Sequence, residues 1–293
     1  MTSRLAVIAV LLLSWTPVWG QQSPPPFGDT IVVTATGDTG SGNQIGAATT
    51  VIDAAQLQAS GAANLAELLR RVPGAELLRS GLEGGVSTLF VRGTSSTQTL
   101  VLFDGVRLNS PFFGGYDWSL PLTTGIGRVE IVRGPYSALY GSDALGGVVQ
   151  IFPARASDSR VRLFAEGGAE GWRRSELEAL VRAGAWSVTV AGGARDGSGS
   201  LANDDFRSRA GLVDASYEIA PGTRASVLFH RLTLFTGIPF SGARVTPHRS
   251  TSEDETVAAI PIHVALHQGS ELELALSRVE RTVGFRDPDD PQG

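Results

Sequence analysis

Glu176-Leu177-Glu178-Ala179-Leu180-Val181, Ala185-Trp186-Ser187-Val188-Thr189-Val190 and Glu271-Leu272-Glu273-Leu274-Ala275-Leu276 alternate polar and apolar side chains residue by residue. A period of two sends successive side chains to opposite faces, so each stretch is a strand with two different environments. The same rhythm predicts strands near 160–168, 175–183, 185–195, 208–219, 223–235, 255–266 and 271–285. Short turns near Gly184, Pro221-Gly222 and Gln268-Gly269-Ser270 interleave with longer polar stretches near Gly168–Arg174, Arg195–Arg207 and Thr236–Asp254. That is the up-and-down rhythm of an outer-membrane barrel. A soluble antiparallel β-sandwich, secreted as a binding module, alternates in the same way.

The beginning of the chain tilts the choice towards the barrel. Met1 to Gly20 has a short basic start at Arg4, an apolar run Leu5–Leu13, and small residues Val18 and Gly20 at the end. This is the pattern of a signal peptide cut near Gly20, and its apolar core is well short of the ~20 residues of a spanning helix. Composition removes other classes. There is no Cys, hence no disulfide, thiolate metal site or thiol nucleophile. All 24 basic residues are Arg and the net charge is −5, which leaves no Lys for a P-loop and argues against nucleic acid as a partner. His263 and His267 are four apart, but in a strand that spacing separates the rings by ~13 Å, and no nucleophile elbow precedes a helix. No enzyme activity is expected.

Upstream of the strands, Thr49 to Ala154 reads as a compact mixed domain. Thr50-Val51-Ile52 is a strand, Ala54 to Val72 forms helical segments, and Pro73-Gly74 stops them. Leu89–Arg92, Thr99–Phe103, Arg128–Val132 and Val148–Ile151 are strands, joined through turn chemistry at Arg92-Gly93, Asp104-Gly105 and Arg133-Gly134-Pro135. Before it, residues 21–48 are rich in Pro, Gly, Ser and Thr around one β-prone island, Thr30-Ile31-Val32-Val33-Thr34-Ala35. Such an island is either an extended segment available to another protein's sheet edge or an ordinary first strand of the following domain. Seven strands leave an open edge, which cannot stand in lipid, and a lumen holding a whole domain implies about 22 strands. The expectation is therefore the N-terminal part of a longer protein, with roughly the first third of its barrel.

Leu68-Leu69-Arg70-Arg71-Val72-Pro73-Gly74, Val91-Arg92-Gly93, Val101-Leu102-Phe103-Asp104-Gly105-Val106 and Ile131-Val132-Arg133-Gly134-Pro135-Tyr136-Ser137-Ala138-Leu139-Tyr140-Gly141-Ser142-Asp143-Ala144-Leu145-Gly146-Gly147-Val148-Val149 resemble, in order, the plug motifs of TonB-dependent outer-membrane receptors. Within that family the chain is most similar to cobalamin transporters. The resemblance implies a mixed α/β plug domain at 49–156 followed by an antiparallel transmembrane β-barrel, incomplete in this chain, at 157–293.

It also implies a function: binding a scarce nutrient, a corrinoid first and a ferric siderophore next, and importing it across the outer membrane. Thr30, Ile31, Val32, Val33, Thr34 and Ala35 resemble the TonB box, captured by TonB working with ExbB–ExbD. Two outward loops of the plug are expected to touch ligand, through Arg79 and Ser80 in one and Asn109, Ser110, Phe112, Phe113, Tyr116 and Trp118 in the other. Aromatics beside amides and hydroxyls suit a large amphipathic ligand. Arg92, Glu130, Arg133 and Asp143 are candidates for charge-assisted bonds between plug and wall, or for pairing inside the plug. Asp196, Asn203, Asp204 and Asp205 cluster oxygen ligands of the kind Ca²⁺ accepts, where cobalamin transporters have a calcium loop. No full ligand set is visible, and no other cofactor is required.

Overall fold

In this computed structural model, residues 32–33, 40–41, 48–111, 113–266, 271–288 and 290 are described. The leader at 1–20 lies outside them, as do Thr30, Ile31, Thr34, Ala35 and Phe112. Strand β1 (Val32–Val33) pairs antiparallel with β2 (Gly40–Ser41) as a separate two-stranded sheet. Val32 and Val33, the two described residues of the β-prone island, lie outside the sheet that contains β3.

The mixed domain begins with β3 (Ala48–Ile52). Helix α1 (Ala54–Ala59) starts on a reciprocal cap: Gln56 N donates to Asp53 Oδ1 at 2.8 Å, and Asp53 N donates to Gln56 Oε1 at 3.1 Å. Gly61, at φ +65°, ends it, and Asn64 caps a second helix, α2 (Leu65–Leu69). The expected helical segments over 54–72 are thus two helices, because Gly61 adopts a left-handed conformation that a helix cannot contain. Next come β4 (Ala75–Arg79) and β5 (Ser87–Val91), a hairpin standing apart from the main sheet.

β6 (Thr99–Phe103) and β7 (Val106–Arg107) are joined by Asp104-Gly105 with φ +46° and +84°, the turn that Asp-Gly favours between antiparallel strands. With β8 (Ile126–Arg133) and β9 (Gly147–Pro153) they complete a sheet of order β3-β8-β9-β6-β7, in which β6 and β9 run parallel. Between β8 and β9 lies the short helix α3 (Ser137–Tyr140). Every residue of β6 and β9 is buried, as expected of continuous apolar runs covered on both sides.

The second region is one antiparallel sheet: β10 (Arg160–Gly167), β11 (Arg173–Ala183), β12 (Trp186–Gly197), β13 (Phe206–Ala220), β14 (Thr223–Gly237), then β17 (Ser250–Ala265) and β18 (Glu271–Arg286). A small hairpin, β15 (Phe240–Ser241) with β16 (Arg244–Val245), sits in the loop between β14 and β17. Neighbours in the sheet are consecutive, and β10 and β18 stand at opposite edges. The seven strands expected from alternation all form.

The two faces of this sheet differ in kind. On the inner face, the mixed domain's apolar core continues into Ala191, Leu212, Leu228, Val257 and Ala259. Alongside them are buried Arg174, Glu176, Glu178, Arg195, Asp214 and Glu255. On the outer face, Val161, Leu163, Val227, Ile260 and Leu276 are exposed, and Trp186 and Tyr217, 4.9 Å apart, sit at the short-turn end. An exposed apolar band ending in aromatics is a lipid-facing surface.

The register shows how the strands cross that band. Arg278 of β18 pairs across to Ala258, and the same row continues through Phe229, Val213, Val190 and Ala179. The next row outward holds Arg231 with Gly211, Gly192 and Leu177. Charge reaches β13 only at Arg209 and β11 only at Arg173, further still along the strands. The polar boundary therefore runs diagonally over the hydrogen-bonded rows, as it does when strands tilt 35–45° to a membrane normal. Among the described residues no helix is long and apolar enough to cross a membrane, which says nothing of strands.

Candidate functional site: the domain and the wall that holds it

The hairpin tip at residues 80–85 lies at the long-loop end of the sheet. Gly84 approaches so closely that an added Cβ would stand 2.8 Å from both Phe206 Cβ and Thr236 Oγ1, and Thr236 Oγ1 donates to Gly84 O at 2.9 Å. Arg195, 1 % exposed, reaches Glu83 at 3.1 Å. Glu83 also pairs with Arg79. The tip is clamped to the wall, while Arg79 and Ser80 remain exposed on it.

At the opposite, short-turn end, the Asp104-Gly105 turn carries a second cluster. Arg155 Nη2 donates to Asp104 Oδ2 at 2.6 Å, and Arg155 Nε stands 3.6 Å from Asp214 on β13. His263 on β17 lies 3.6 Å from Asp104 Oδ1 and 3.2 Å from Glu273 of β18. Burial pushes the Asp104 carboxyl up, but the nearby His263 and then the Arg155 charge outweigh it and hold it at about 2. One step inward, the His230 ring stacks on Phe103 at 4.7 Å. Sequence alone assigns neither histidine to this junction, because their partners are far away in the chain.

Between these ends, the wall grips the domain's backbone. Arg174 donates to Gly61 O and Ala62 O at 2.8 and 3.1 Å, and Gly125 N donates to Glu178 Oε2 at 3.2 Å. Thr189 Oγ1 donates to Ala154 O, and Ala156 N to Ser187 Oγ at 2.8 Å. Tyr116 OH donates to Glu255 at 3.4 Å, with Arg281 over the Tyr116 ring at 5.0 Å and paired with Glu255. Burial first, then the Glu255 charge, keeps the Tyr116 phenol well above its usual range.

The expected ligand residues divide. Tyr116 and Trp118 are core, 5 % and 1 % exposed, and pack edge to face at 5.1 Å. Asn109 spends its amide inside the domain, accepting from Val101 N at 2.7 Å and donating to Thr99 O and Gly114 O at 2.9 Å. Ser110 is buried and accepts from Phe113 N. Buried Tyr116 and Trp118 thus pack in the core and do not face a ligand, while Asn109 and Ser110, although bonded within the domain, line the recess beside Phe113. Phe113 does project outward, beside a recess of about 920 Å³ between Arg107–Pro111 and Val279–Val283 of β18.

Of the two readings of the plug's charged residues, pairing inside the domain is what Glu130, Arg133 and Asp143 form. Arg133 donates to Ala48 O and Pro73 O, buried Glu130 pairs with Arg128 at 2.9 Å, and Asp143 pairs with Arg107 at 2.8 Å. Nor do the four calcium candidates converge. Asp196 pairs with Arg209 at 2.8 Å, Asp205 lies 3.6 Å from Arg207, Asp204 accepts from Leu201 N at 2.7 Å, and Asn203 donates to three carbonyls. Among the described residues no group of three His, Cys, Asp or Glu is arranged to hold a metal.

Residues 41–148 match the family model of the TonB-dependent Receptor Plug Domain. This segment is the plug domain of a TonB-dependent receptor. A curated relative, the vitamin B12 transporter BtuB of Vibrio vulnificus (strain YJ016), is 41% identical over 123 residues, which are 42% of this chain and 20% of the relative. The match thus spans about a fifth of that relative's length. Among solved structures, the ferric preacinetobactin receptor BauA of Acinetobacter baumannii superposes with a TM-score of 0.72 at 17% identity, covering 87% of this chain and 41% of its own. The ferric yersiniabactin uptake receptor FyuA of Yersinia pestis gives 0.67 at 19%, covering 87% and 44%. These likenesses extend beyond the plug and establish the fold of the strands as that of a receptor barrel's wall.

Proposed function

We propose that the chain serves an outer-membrane receptor that binds a scarce nutrient, a corrinoid in the first instance, and imports it when TonB, energised by ExbB–ExbD, takes hold of residues 30–35. The observation that carries the reading is a plug domain bonded to the polar inner face of a sheet whose outer face is apolar. Residues 1–20 serve as the export leader, and 21–48 as the tether bearing the box. The 41% identity to a protein named as a vitamin B12 transporter supports the corrinoid. A ferric siderophore is the alternative, supported by receptors of like fold. Arg79, Ser80 and Phe113 are the ligand contacts in this reading.

The test is uptake of labelled cyanocobalamin, and separately of ferric siderophores, by cells that depend on this receptor. Val33→Pro removes a main-chain donor from the box. Uptake is expected to fall to background while ligand binding to the cells persists. Normal uptake in the variant removes residues 30–35 from the mechanism; ferric siderophore uptake without corrinoid uptake replaces the ligand.

A further inference from the structure

The two long loops after β12 and after β14 meet at one side chain. Asn203, in a left-handed conformation at φ +64°, directs its amide nitrogen at three carbonyl oxygens of the neighbouring loop: Thr246 O and Arg249 O at 2.7 Å and Ile238 O at 3.1 Å. Three acceptors fix which amide atom faces them, since the amide oxygen would be repelled. That loop is itself closed at the same place. Ile238 N donates to Arg249 O at 2.8 Å, Thr246 N to Pro239 O at 2.8 Å, and the fully buried Thr246 Oγ1 to Ile238 O at 2.6 Å. Gly237 N donates to Asp205 O at 2.8 Å, and a Cβ on Gly237 would stand 2.6 Å from Asn203 O, so the strand end is moulded to the asparagine.

Carbonyl oxygens gathered on one point need a positive partner, and a bound cation is one solution. Of the nearby carboxylates, Asp196 pairs with Arg209, Asp205 lies towards Arg207 and Asp204 Oδ2 accepts from Leu201 N, while Asp204 Oδ1 is buried without a hydrogen-bond partner. The –NH₂ group of Asn203 supplies the positive end instead. We propose that Asn203 is a positioning residue, a metal-independent lock that joins loops 198–205 and 238–249 into one preformed rim. The rim flanks the plug tip, because Phe206 and Thr236, at the two strand ends beside the lock, are the residues that Gly84 packs on and bonds to. The lock stands on this geometry alone; its consequence, a rigid outer surface that presents Arg79 to a ligand, rests on the receptor reading.

Amide hydrogen exchange by mass spectrometry on the full chain in detergent, with either EDTA or calcium chloride present, tests it. In the wild type, exchange over 198–205 and 238–249 is expected to be the same in both conditions. Asn203→Ala is expected to speed exchange in both loops by roughly tenfold, with β9 of the plug unchanged. Asn203→Asp, which turns a carboxylate oxygen towards the three carbonyls, is expected to loosen the loops in EDTA and to recover in calcium chloride. Unchanged loops in Asn203→Ala overturn the lock, and so does calcium-dependent protection of the wild type. If Asn203→Ala unfolds altogether, the wild-type comparison and the calcium rescue of Asn203→Asp still decide. None of these readouts involves ligand or TonB, so failure of the lock and failure of the transport reading are told apart.

Discussion

Replacing Asp104 by asparagine removes a charge that the plug–wall junction is built around. The carboxyl is fully buried, 2.6 Å from Arg155 and 3.6 Å from His263. A displacement of its pKa from 3.8 to about 2 corresponds to about 2–3 kcal/mol of folded-state stability near neutral pH. The asparagine amide would keep the shape and lose that contribution, leaving Arg155 with Asp214 at 3.6 Å. The pH dependence follows from the direction of the displacement. A carboxyl whose folded pKa lies below its unfolded value contributes fully above the unfolded value, and the contribution disappears as pH falls from 3.8 towards about 2. Asp104→Asn and wild type should therefore differ near neutral pH and converge in strong acid. Exchange of the β6 amides in increasing urea measures the gap. A difference below about 0.5 kcal/mol near neutrality, or one of constant size down to strong acid, would refute the argument.

Two further substitutions probe the wall. Gly125 has φ +78° and lies so close to the wall that an added Cβ would be 2.7 Å from Ala191 Cβ and from Leu212 Cδ2. Gly125→Ala is expected to cost about 2–5 kcal/mol through backbone strain and overpacking, read as a drop in urea midpoint of the plug amides; an unchanged midpoint would mean that the plug stands off the wall. Val190 points outward in the apolar band. Val190→Arg should lower folding stability by about 2–4 kcal/mol in lipid bilayers if it lies near the midplane, and an equal, small effect in bilayers and in detergent-free buffer would count against a lipid-facing sheet.

How far the sequence disclosed this arrangement depends on the range of each interaction. The strand expected at 208–219 is Phe206–Ala220 and that at 223–235 is Thr223–Gly237, because a face towards core and a face towards lipid imprint a period of two directly on the chain. The Asp104-Gly105 turn was equally legible, since its chemistry is local. The helical segments over 54–72 were legible too, and Ser60-Gly61 marks the break between them. Partner choice was the real loss. For Arg133 and Asp143 the sequence left open a bond to the wall or one within the plug, and they bond within the plug, while the wall contacts come from Arg174 and Glu178 to residues 112 and 53 positions away. No local pattern encodes a partner at that distance.

Beside the side-chain pairs Arg195–Glu83 and Glu255–Tyr116, a subset of the wall's contacts has a further property that the plug's sequence would not reveal. Arg174, Glu178, Ser187, Thr189 and Thr236 all bond to plug backbone atoms and not to side chains. Every residue offers those atoms, so such a grip leaves no mark on side-chain choice in the plug. It also separates differently from an apolar core. Parting the surfaces exchanges each protein–protein hydrogen bond for one with water, at a net cost of about 0.5–1.5 kcal/mol, more where a charge takes part. The wall's apolar contribution includes Leu212, Leu228 and Val257 as well as Ala191 and Ala259. The plug's own core holds Trp118, Leu65, Leu69, Phe103 and Ile151 in a shared cluster. Water can replace these backbone bonds one at a time, whereas parting Leu212, Leu228 and Val257 from the shared cluster exposes apolar surface to water all at once.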